Sequence, residues 1–203
     1  MSIEIKKSIK PVNYLDAISF LEKRVEKIIK RQEKELIWIL EHPSIFTAGT
    51  SYNEKDIIDK EIDIIKTSRG GKITWHGPGQ LICYLAIDLN NRKKDIRKFV
   101  QIIEKSIIES LEEIGVSSQS DKKNIGIWVN SKKIAAIGLR VSRWVAFHGC
   151  SINISNNLNE YLKIIPCGLD NKKVTSINNE KNIKPINYEK KLANIFIKNI
   201  NDI

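Results

Sequence analysis

The sequence predicts an α+β fold, in which mixed β-sheets are flanked by helices. Three observations point to this class: long amphipathic stretches typical of helices, a run of short apolar segments separated by turn residues, and no strict strand–helix alternation of the doubly wound kind. The 203 residues contain no linker, internal repeat or low-complexity tract. We therefore expect one domain over residues 1–203.

The helices are indicated by apolar residues that recur at steps of three and four. This spacing predicts helices over residues 12–32 and 95–114, the second ended by Gly115. A last helix is expected over residues 188–200, and a short capped helix after Ser155.

The strands are indicated by short runs of apolar and β-branched residues. They are expected at residues 36–40, 81–87, 125–129, 133–137, 144–147 and 150–154. The last four runs predict a meander of hairpins, with a turn at Asn130-Ser131. Residues 43–49 are expected to form a loop because Pro43 interrupts the preceding apolar run. The charged stretch 53–66 is expected at the periphery.

The composition limits the possible partners. A formal net charge of +10 suits an acidic partner such as nucleic acid, an anionic membrane or an acidic protein, but a lysine-rich composition explains it equally well. The lysines occur as scattered doublets without interleaved aromatics, so we expect no nucleic-acid binding. No signal peptide or apolar run of about 18 residues is present, so we expect a cytoplasmic protein without a membrane partner.

The three cysteines differ in their surroundings. Cys83 and Cys150 lie in apolar strands, which favours a place in the core or in a pocket wall. Cys167 stands between proline and glycine and is the one cysteine placed like a nucleophile, with a structural role as the alternative. The wide spacing and odd number of the cysteines predict neither a disulfide framework nor a metal site.

Two further features carry candidate chemistry. The segment 69–80 contains four glycines, which allow close backbone approach to a ligand, with Arg69 and His76 as polar groups; a plain turn is the alternative. Lys133 opens an apolar strand. It is either a strand-end charge that reaches water or a partly desolvated ammonium that stabilises a neighbouring anion.

In their order along the chain, these motifs resemble the bacterial octanoyl-(acyl carrier protein):protein octanoyltransferases, a family related to the biotin and lipoate ligase catalytic fold. The matching segments are Glu41-His42-Pro43, Thr47-Ala48-Gly49, 69–80, Gly126-Ile127-Trp128, 133–138, Ser142-Arg143-Trp144, His148-Gly149, Asn153 and Pro166-Cys167-Gly168. One departure is Trp75, where the family usually has tyrosine. We expect this exchange to affect the width of a pocket and not the chemistry.

The resemblance implies an activity and its residues. An octanoyl group would pass from octanoyl-acyl carrier protein to a lysine of the apo lipoyl domains of 2-oxoacid dehydrogenases and of glycine cleavage H protein. Cys167 would be the acyl-thioester nucleophile and Lys133 the residue that lowers its pKa, with no metal or cofactor. The implied substrate-binding residues are Arg69, Gly70, Gly71, Lys72, Ile73, Thr74, Trp75 and His76, then Ala136, Ile137 and Gly138, then Gly149, Cys150 and Ser151.

The implied chemistry is physically consistent. A cation near a thiol raises its thiolate fraction, and exchanging one thioester for another needs no ATP. The acceptor amine must lose a proton, for which Lys133 in its neutral form is the candidate base. Backbone N–H groups near Gly168 or in the Gly70-Gly71 loop are candidates for holding the oxyanion.

Three alternatives remain open on the sequence alone. A lipoate or biotin ligase shares the fold and would activate a free acid with ATP, although Cys167 argues against it. An amidotransferase that moves octanoyl groups between protein lysines also uses a cysteine. A non-catalytic basic binding protein would leave Cys167, Lys133 and the glycine-rich segment unexplained. The sequence assigns no role to His76 or His148.

Overall fold

The computed structural model describes residues 2–121, 124–165, 174–183 and 185–202. The helices in these ranges are α1 Tyr14–Ile29, α2 Ile96–Glu112, α3 Ile177–Lys181 and α4 Tyr188–Asn201, with 3₁₀ helices Glu54–Asp56 and Leu158–Lys163. The strands are β1 Ile3–Lys7, β2 Glu35–Leu40, β3 Ile45–Ala48, β4 Ile64–Lys66, β5 Ile73–His76, β6 Gln80–Asp88, β7 Gln119–Ser120, β8 Ile127–Val129, β9 Lys132–Ser142 and β10 Val145–Asn153.

The strands of the described ranges form two mixed sheets. The larger has seven strands in the order β1-β2-β6-β10-β9-β8-β7, and the smaller has three in the order β4-β3-β5. Each sheet contains a parallel pair, β1–β2 and β3–β4, beside antiparallel pairs. The predicted α+β class is confirmed.

Helix α1 covers one face of the larger sheet. It begins after Asn13, whose side chain accepts a hydrogen bond from the Leu15 amide at 2.9 Å. Its apolar stripe packs on Trp38 of β2, Tyr84 of β6 and Phe147 of β10. These three side chains point to the same face of the sheet, which we call the α1 face.

Helices α2 and α4 cover the opposite face. Phe99 of α2 and Phe196 of α4 are fully buried there, together with Leu85 of β6. After α2 the chain turns at Gly115, which has a left-handed φ of +74° as the predicted helix stop requires. None of the helices in the described ranges has the length and apolar content needed to span a bilayer.

Several details differ from the sequence-based expectations. Residues 43–49 are not a loop, because Ile45–Ala48 forms β3 and pairs with β5. Strand β2 ends at Leu40, and Pro43 does not prevent the β-branched and aromatic residues that follow it from starting a new strand. The glycine-rich segment likewise contains a strand, β5. The stretch 53–66 is peripheral only in part, since it carries edge strand β4 and the buried Asp56.

The two strands expected at 144–147 and 150–154 are one continuous strand. Strand β10 pairs with β6 through every residue from Val145 to Asn153. His148 and Gly149 lie in its middle with positive φ values of +68° and +157°. The sequence pattern placed a break between two strands at His148 and Gly149. The strand instead continues through these two residues with its pairing to β6 intact.

Candidate active site

A pocket lies between the smaller sheet and strands β6, β9 and β10 of the larger one. We call it the central pocket; it is lined by Tyr14, Arg69, Gly71, Lys72, Ile73, Thr74, His76, Ile82, Tyr84, Ala136, Ile137, Gly138, His148, Gly149, Cys150 and Ser151. All the substrate-binding residues expected from the sequence except Gly70 and Trp75 are in this wall. Three segments that are distant in sequence are thus brought together, and their binding of substrate stays a prediction.

Trp75 lies on the far side of β5 from the pocket. Its indole Nε1 donates to Ser44 Oγ at 2.9 Å, and its ring meets Tyr161 edge-to-face at 5.8 Å. The expectation that this tryptophan affects the pocket width is therefore wrong. Because adjacent residues of a strand face opposite sides, Thr74 and His76 line the pocket instead.

The Arg69–Gly71 loop fastens the smaller sheet to the larger one. The Gly70 amide donates to the Leu139 carbonyl of β9 at 2.9 Å, so it is not available as the oxyanion donor considered from the sequence. A Cβ at Gly70 would lie 2.9 Å from that same oxygen. The Arg69 guanidinium donates to the backbone carbonyl and the hydroxyl of Thr47, at 2.8 and 2.9 Å.

A second cavity adjoins the central pocket and contains Lys133. We call it the lysine cavity; it is lined by Thr74, Lys133, Ala135, Ala136, Ser151, Asn153, Tyr161 and Val174. Thr74, Ala136 and Ser151 also line the central pocket. Lys133 is only 6% exposed, so its interpretation as a strand-end charge that reaches water is wrong.

The Lys133 ammonium is held by its surroundings. Nζ donates to the Ile125 carbonyl at 3.1 Å and lies 4.8 Å from the centroid of the Trp128 ring. Gly126 makes room for the side chain. A Cβ there would lie 2.7 Å from the Ala135 carbonyl oxygen and 3.0 Å from Lys133 Cε.

Cys167 and Gly168 lie outside the described residues. The described chain resumes at Val174, which forms a β-bridge with Lys133 and lines the lysine cavity. The next amide, of Thr175, donates to the Lys133 carbonyl at 2.9 Å. Val174 and Thr175, which come after the Pro-Cys-Gly motif in the sequence, are thereby fixed beside Lys133.

A buried hydrogen-bond network connects the two cavities. His76 Nδ1 lies 2.7 Å from Gln80 Oε1, and because an amide oxygen only accepts, this nitrogen carries the proton. Gln80 Nε2 donates to Asn153 Oδ1 at 2.9 Å, and Asn153 Nδ2 donates to the Thr175 carbonyl at 2.9 Å. Burial and the nearby His42 lower the pKa of His76 to about 3, so its ring is neutral.

Four pocket residues were missed by the sequence reasoning: Tyr14, Ile82, Tyr84 and His148. The Tyr84 hydroxyl donates to His42 Nε2 at 2.8 Å, since His42 Nδ1 donates to the Val12 carbonyl at 2.7 Å. His148 could have been suspected from its position before Gly149. The other three carry no local signal, because only the packing of α1 and β6 brings them to the pocket.

Cys83 and Cys150 lie directly opposite each other on β6 and β10. Both are buried, and Cys150 lines the central pocket, so the expectation of core or pocket-wall positions is confirmed. Hydrogen bonding with Cys150 and burial raise the pKa of the Cys83 thiol well above its ordinary value. A thiol in that state is a poor nucleophile.

Known proteins match this chain over most of its length. Residues 13–197 match the family model described as "Lipoyl protein ligase A/B catalytic domain". An octanoyltransferase of Anaplasma phagocytophilum is 44% identical over 183 residues, covering 87% of this chain and 88% of that relative. An octanoyltransferase of Bartonella tribocorum is 41% identical over 191 residues, covering 87% of this chain and 78% of that relative.

Solved structures show the same fold at low sequence identity. A lipoate-protein ligase A bound with ATP gives a TM-score of 0.75 at 13% identity, covering 99% of this chain and 86% of that one. A bipartite lipoate protein ligase from Thermoplasma acidophilum gives a TM-score of 0.73 at 12% identity, covering 98% of this chain and 85% of that one. The predicted likeness to the lipoate ligase fold is confirmed, and the chain belongs to the lipoyl protein ligase A/B catalytic domain family.

Proposed function

We propose that the octanoyl group passes from octanoyl-acyl carrier protein to Cys167, and from Cys167 to the acceptor lysine of an apo lipoyl domain. One catalytic domain over residues 1–203 would carry out both steps in the cytoplasm, where a thiol stays reduced. The acceptors would be the lipoyl domains of 2-oxoacid dehydrogenases and glycine cleavage H protein. The observation that carries this proposal is the buried Lys133 in a cavity that adjoins the central pocket.

The class of reaction follows from the relatives. Proteins of about 40% identity over most of the chain are named octanoyltransferase, and the chain is an acyltransferase that transfers octanoyl groups for protein lipoylation. The lipoate ligase structure bound with ATP shares only the fold at 13% identity. Relatives at about three times that identity favour transfer over ATP-dependent ligation.

In the first step the Cys167 thiolate attacks the carbonyl carbon of the carrier-protein thioester. The new carbon–sulfur bond forms as the carrier's thiolate leaves, and the Lys133 ammonium gives that thiolate a proton. A buried ammonium favours a thiolate beside it, because the low-dielectric surroundings strengthen the attraction between the charges. The Ile125 carbonyl and the Trp128 ring fix the position of Lys133 Nζ, which supports its proposed role beside the thiolate.

In the second step the neutral amine of the acceptor lysine attacks the Cys167 thioester. Lys133, neutral after the first step, takes the proton that the attacking amine loses. The amide bond forms, the Cys167 thiolate leaves, and the original charges of both residues are restored. The acyl chain would lie along the central pocket throughout, against Ala136, Ile137 and Gly138.

Intact-mass spectrometry tests this route. Mixing the protein with octanoyl-acyl carrier protein should add one octanoyl group to the wild type and none to Cys167→Ala. Cys83→Ala is the matched control, since Cys83 lies in the core, and it should still be acylated. An octanoyl adduct on Cys167→Ala would disprove the cysteine route. Octanoylation of an apo lipoyl domain from ATP and free octanoate, without octanoyl-acyl carrier protein, would instead indicate a lipoate ligase.

A further inference from the structure

The larger sheet changes its pairing partner at Lys133. The pairing of β10 with β9 ends at Ile152 and Ala135, two residues before Lys133 is reached. Lys133 pairs with Trp128 of β8 on one side. A strand residue has two edges, and Val174 occupies the edge that β10 has left, in a parallel bridge with Lys133. A segment from later in the chain therefore completes the sheet at this lysine.

Thr175 is held at this position by both of its backbone polar groups. Its amide donates to the Lys133 carbonyl at 2.9 Å, and its carbonyl accepts from Asn153 Nδ2 at 2.9 Å. Its hydroxyl donates to Glu180 Oε1 at 2.5 Å, which also accepts from the Lys132 ammonium at 2.7 Å. Because Thr175, Asn153 and Lys133 are all buried, the two backbone bonds are formed away from water.

The Asn153 amide has one orientation that satisfies all of these neighbours. A carbonyl only accepts, so the bond to Thr175 requires the Asn153 NH₂ group on that side. Asn153 Oδ1 then faces three donors, which are Gln80 Nε2 at 2.9 Å, Asn156 Nδ2 at 3.2 Å and the Tyr161 hydroxyl at 3.4 Å. The side chain is thus fixed with its donor group directed at the Thr175 carbonyl.

The position of this segment matters because it encloses Lys133. Val174 lines the lysine cavity together with Lys133 and Asn153. A buried carbonyl that loses its donor is unfavourable, so without Asn153 the Thr175 carbonyl would move toward water. That movement would release the Lys133 carbonyl and admit water to the cavity. Water would weaken the attraction between the Lys133 ammonium and a neighbouring thiolate.

We infer that Asn153 is a positioning residue for octanoyl transfer, which holds Val174 and Thr175 against Lys133; this conclusion rests on the proposed function. Asn153 is one of the positions at which the sequence resembles the octanoyltransferases. It acts through the Thr175 backbone and is only 4% exposed. It therefore affects the rate of acyl transfer and not the binding of the carrier protein.

Single-turnover acylation tests this inference. Intact-mass measurements would follow the reaction with octanoyl-acyl carrier protein for the wild type, Asn153→Ala, Asn153→Asp and Asn156→Ala. The aspartate variant keeps the oxygen that faces Gln80 and loses the donor at Thr175. Asn156→Ala is the matched control, because Asn156 is also buried and donates to Asn153 Oδ1, on the side of the amide away from Thr175.

The maximal rate of acylation should fall by about ten- to a hundredfold in both Asn153 variants, as expected when a reactive group is displaced. The carrier-protein concentration that gives half of this rate should stay the same, because binding is not affected. Asn156→Ala should lose stability but keep the wild-type rate. A wild-type rate for Asn153→Asp, or an equal loss for Asn156→Ala, would overturn the inference.

Combination with Lys133→Met separates positioning from a general structural role. If Asn153 acts through Lys133, Asn153→Asp should slow Lys133→Met no further, whereas a loss of folded protein would lower the rate of both backgrounds by the same factor. Equal factors in the two backgrounds would overturn the inference. Normal turnover of Lys133→Met would instead contradict the proposed function, so the two failures are distinguishable.

Hydrogen exchange of the unmodified protein covers the case in which the variants do not fold. The Thr175 amide should exchange as slowly as the amides in the middle of β10, because it is buried and bonded to the Lys133 carbonyl. Exchange at the rate of an exposed amide would show that the segment is not held beside Lys133, and the inference would fall.

Discussion

The two ends of the central pocket differ in how their polar groups are held. At one end Lys133 donates to the Ile125 carbonyl and lies over the Trp128 ring, so its position is determined by partners. At the other end His148 is held by stacking on Phe147 and by a strained backbone, with neither ring nitrogen partnered within the described chain.

The difference is between a polar group held by a hydrogen bond and one whose ring nitrogens have no partner within the described chain. A group that takes part in a reaction needs a fixed position, because small displacements lower rates strongly. A buried polar atom without a protein partner can discriminate among ligands, because a ligand that leaves it unpaired binds more weakly. The first two changes below act at the Lys133 end, the pH dependence involves His148 and His76, and the salt dependence concerns the net charge.

Replacing Lys133 by methionine should have the largest effect. We expect octanoyl transfer to fall by about 10² to 10⁴-fold, the range for loss of a positioned acid–base group. The measurement is the rate of octanoyl transfer from carrier protein to an apo lipoyl domain. Lys133→Arg keeps the charge but not the neutral base, so it should recover acyl-enzyme formation more than amide formation. Normal turnover of Lys133→Met would remove this residue from the mechanism.

Gly126→Ala should move the Lys133 amine without removing it. Its Cβ would lie 2.7 Å from the Ala135 carbonyl oxygen and 3.0 Å from Lys133 Cε, so the side chain must shift. A displacement of about 1 Å at a reactive group can lower the rate about a hundredfold. Gly115→Ala is the control. It also places alanine at a positive φ, +74° against +139° at Gly126, but beside only the Lys181 side chain, so it should reduce stability without slowing transfer.

The buried histidines should make stability depend on pH. The pKa of His148 is lowered to about 4 and that of His76 to about 3, so both rings stay neutral in the folded protein at pH 5. The unfolded chain binds protons there, because an exposed histidine has a pKa of about 6.5. The contribution of the two histidines to the free energy of unfolding is therefore fully present above pH 6.5. It falls as the pH is lowered, by about 2 kcal/mol per histidine at pH 5.

Urea denaturation at pH 7 and pH 5 measures this loss. His148→Gln should lose about 2 kcal/mol less than the wild type between the two values, whereas Lys133→Met should lose as much as the wild type. An equal loss for His148→Gln and the wild type would mean that His148 is protonated in the folded protein at pH 5.

Salt should have the smallest effect. The resemblance to the octanoyltransferases implies acidic partners, and the net charge of +10 would speed their encounter with this protein. We expect transfer from octanoyl-acyl carrier protein to slow several-fold between about 0.01 and 0.15 M salt, where charges become screened. A small octanoyl thioester should show no such change. Equal salt dependence for both donors would indicate that the charge reflects composition alone.

The Lys133 end of the pocket was more predictable than the His148 end. Lys133 and the glycine-rich segment stand out as local patterns, and the resemblance to a family favoured one of the two interpretations that each pattern left open. Tyr14 and Tyr84 reach the pocket only through the packing of α1 on β6, which no local pattern encodes. His148 was left without a role because a left-handed residue inside a paired strand has no sequence signature beyond the glycine after it.

The same limit applies to the fold. Helices α1 and α2 were predicted because their apolar period repeats over four turns or more. Strand β5 was missed because its residues Ile73–His76 lie within a segment rich in glycine. Trp75 was assigned to the pocket wall because a sequence match does not reveal which face of a strand a residue occupies.

The order of the central strands has a consequence for how the chain folds during synthesis. Strand β6 pairs with β2 on one side and with β10 on the other, so neighbours in the sheet come from residues 35–40, 80–88 and 145–153. Pairings this distant in sequence form slowly. About three quarters of the chain must leave the ribosome before the middle of the sheet can close, and until then the apolar stripe of α1 lacks its partner on β10. Nascent chains of this enzyme should therefore depend on chaperones until β10 has emerged.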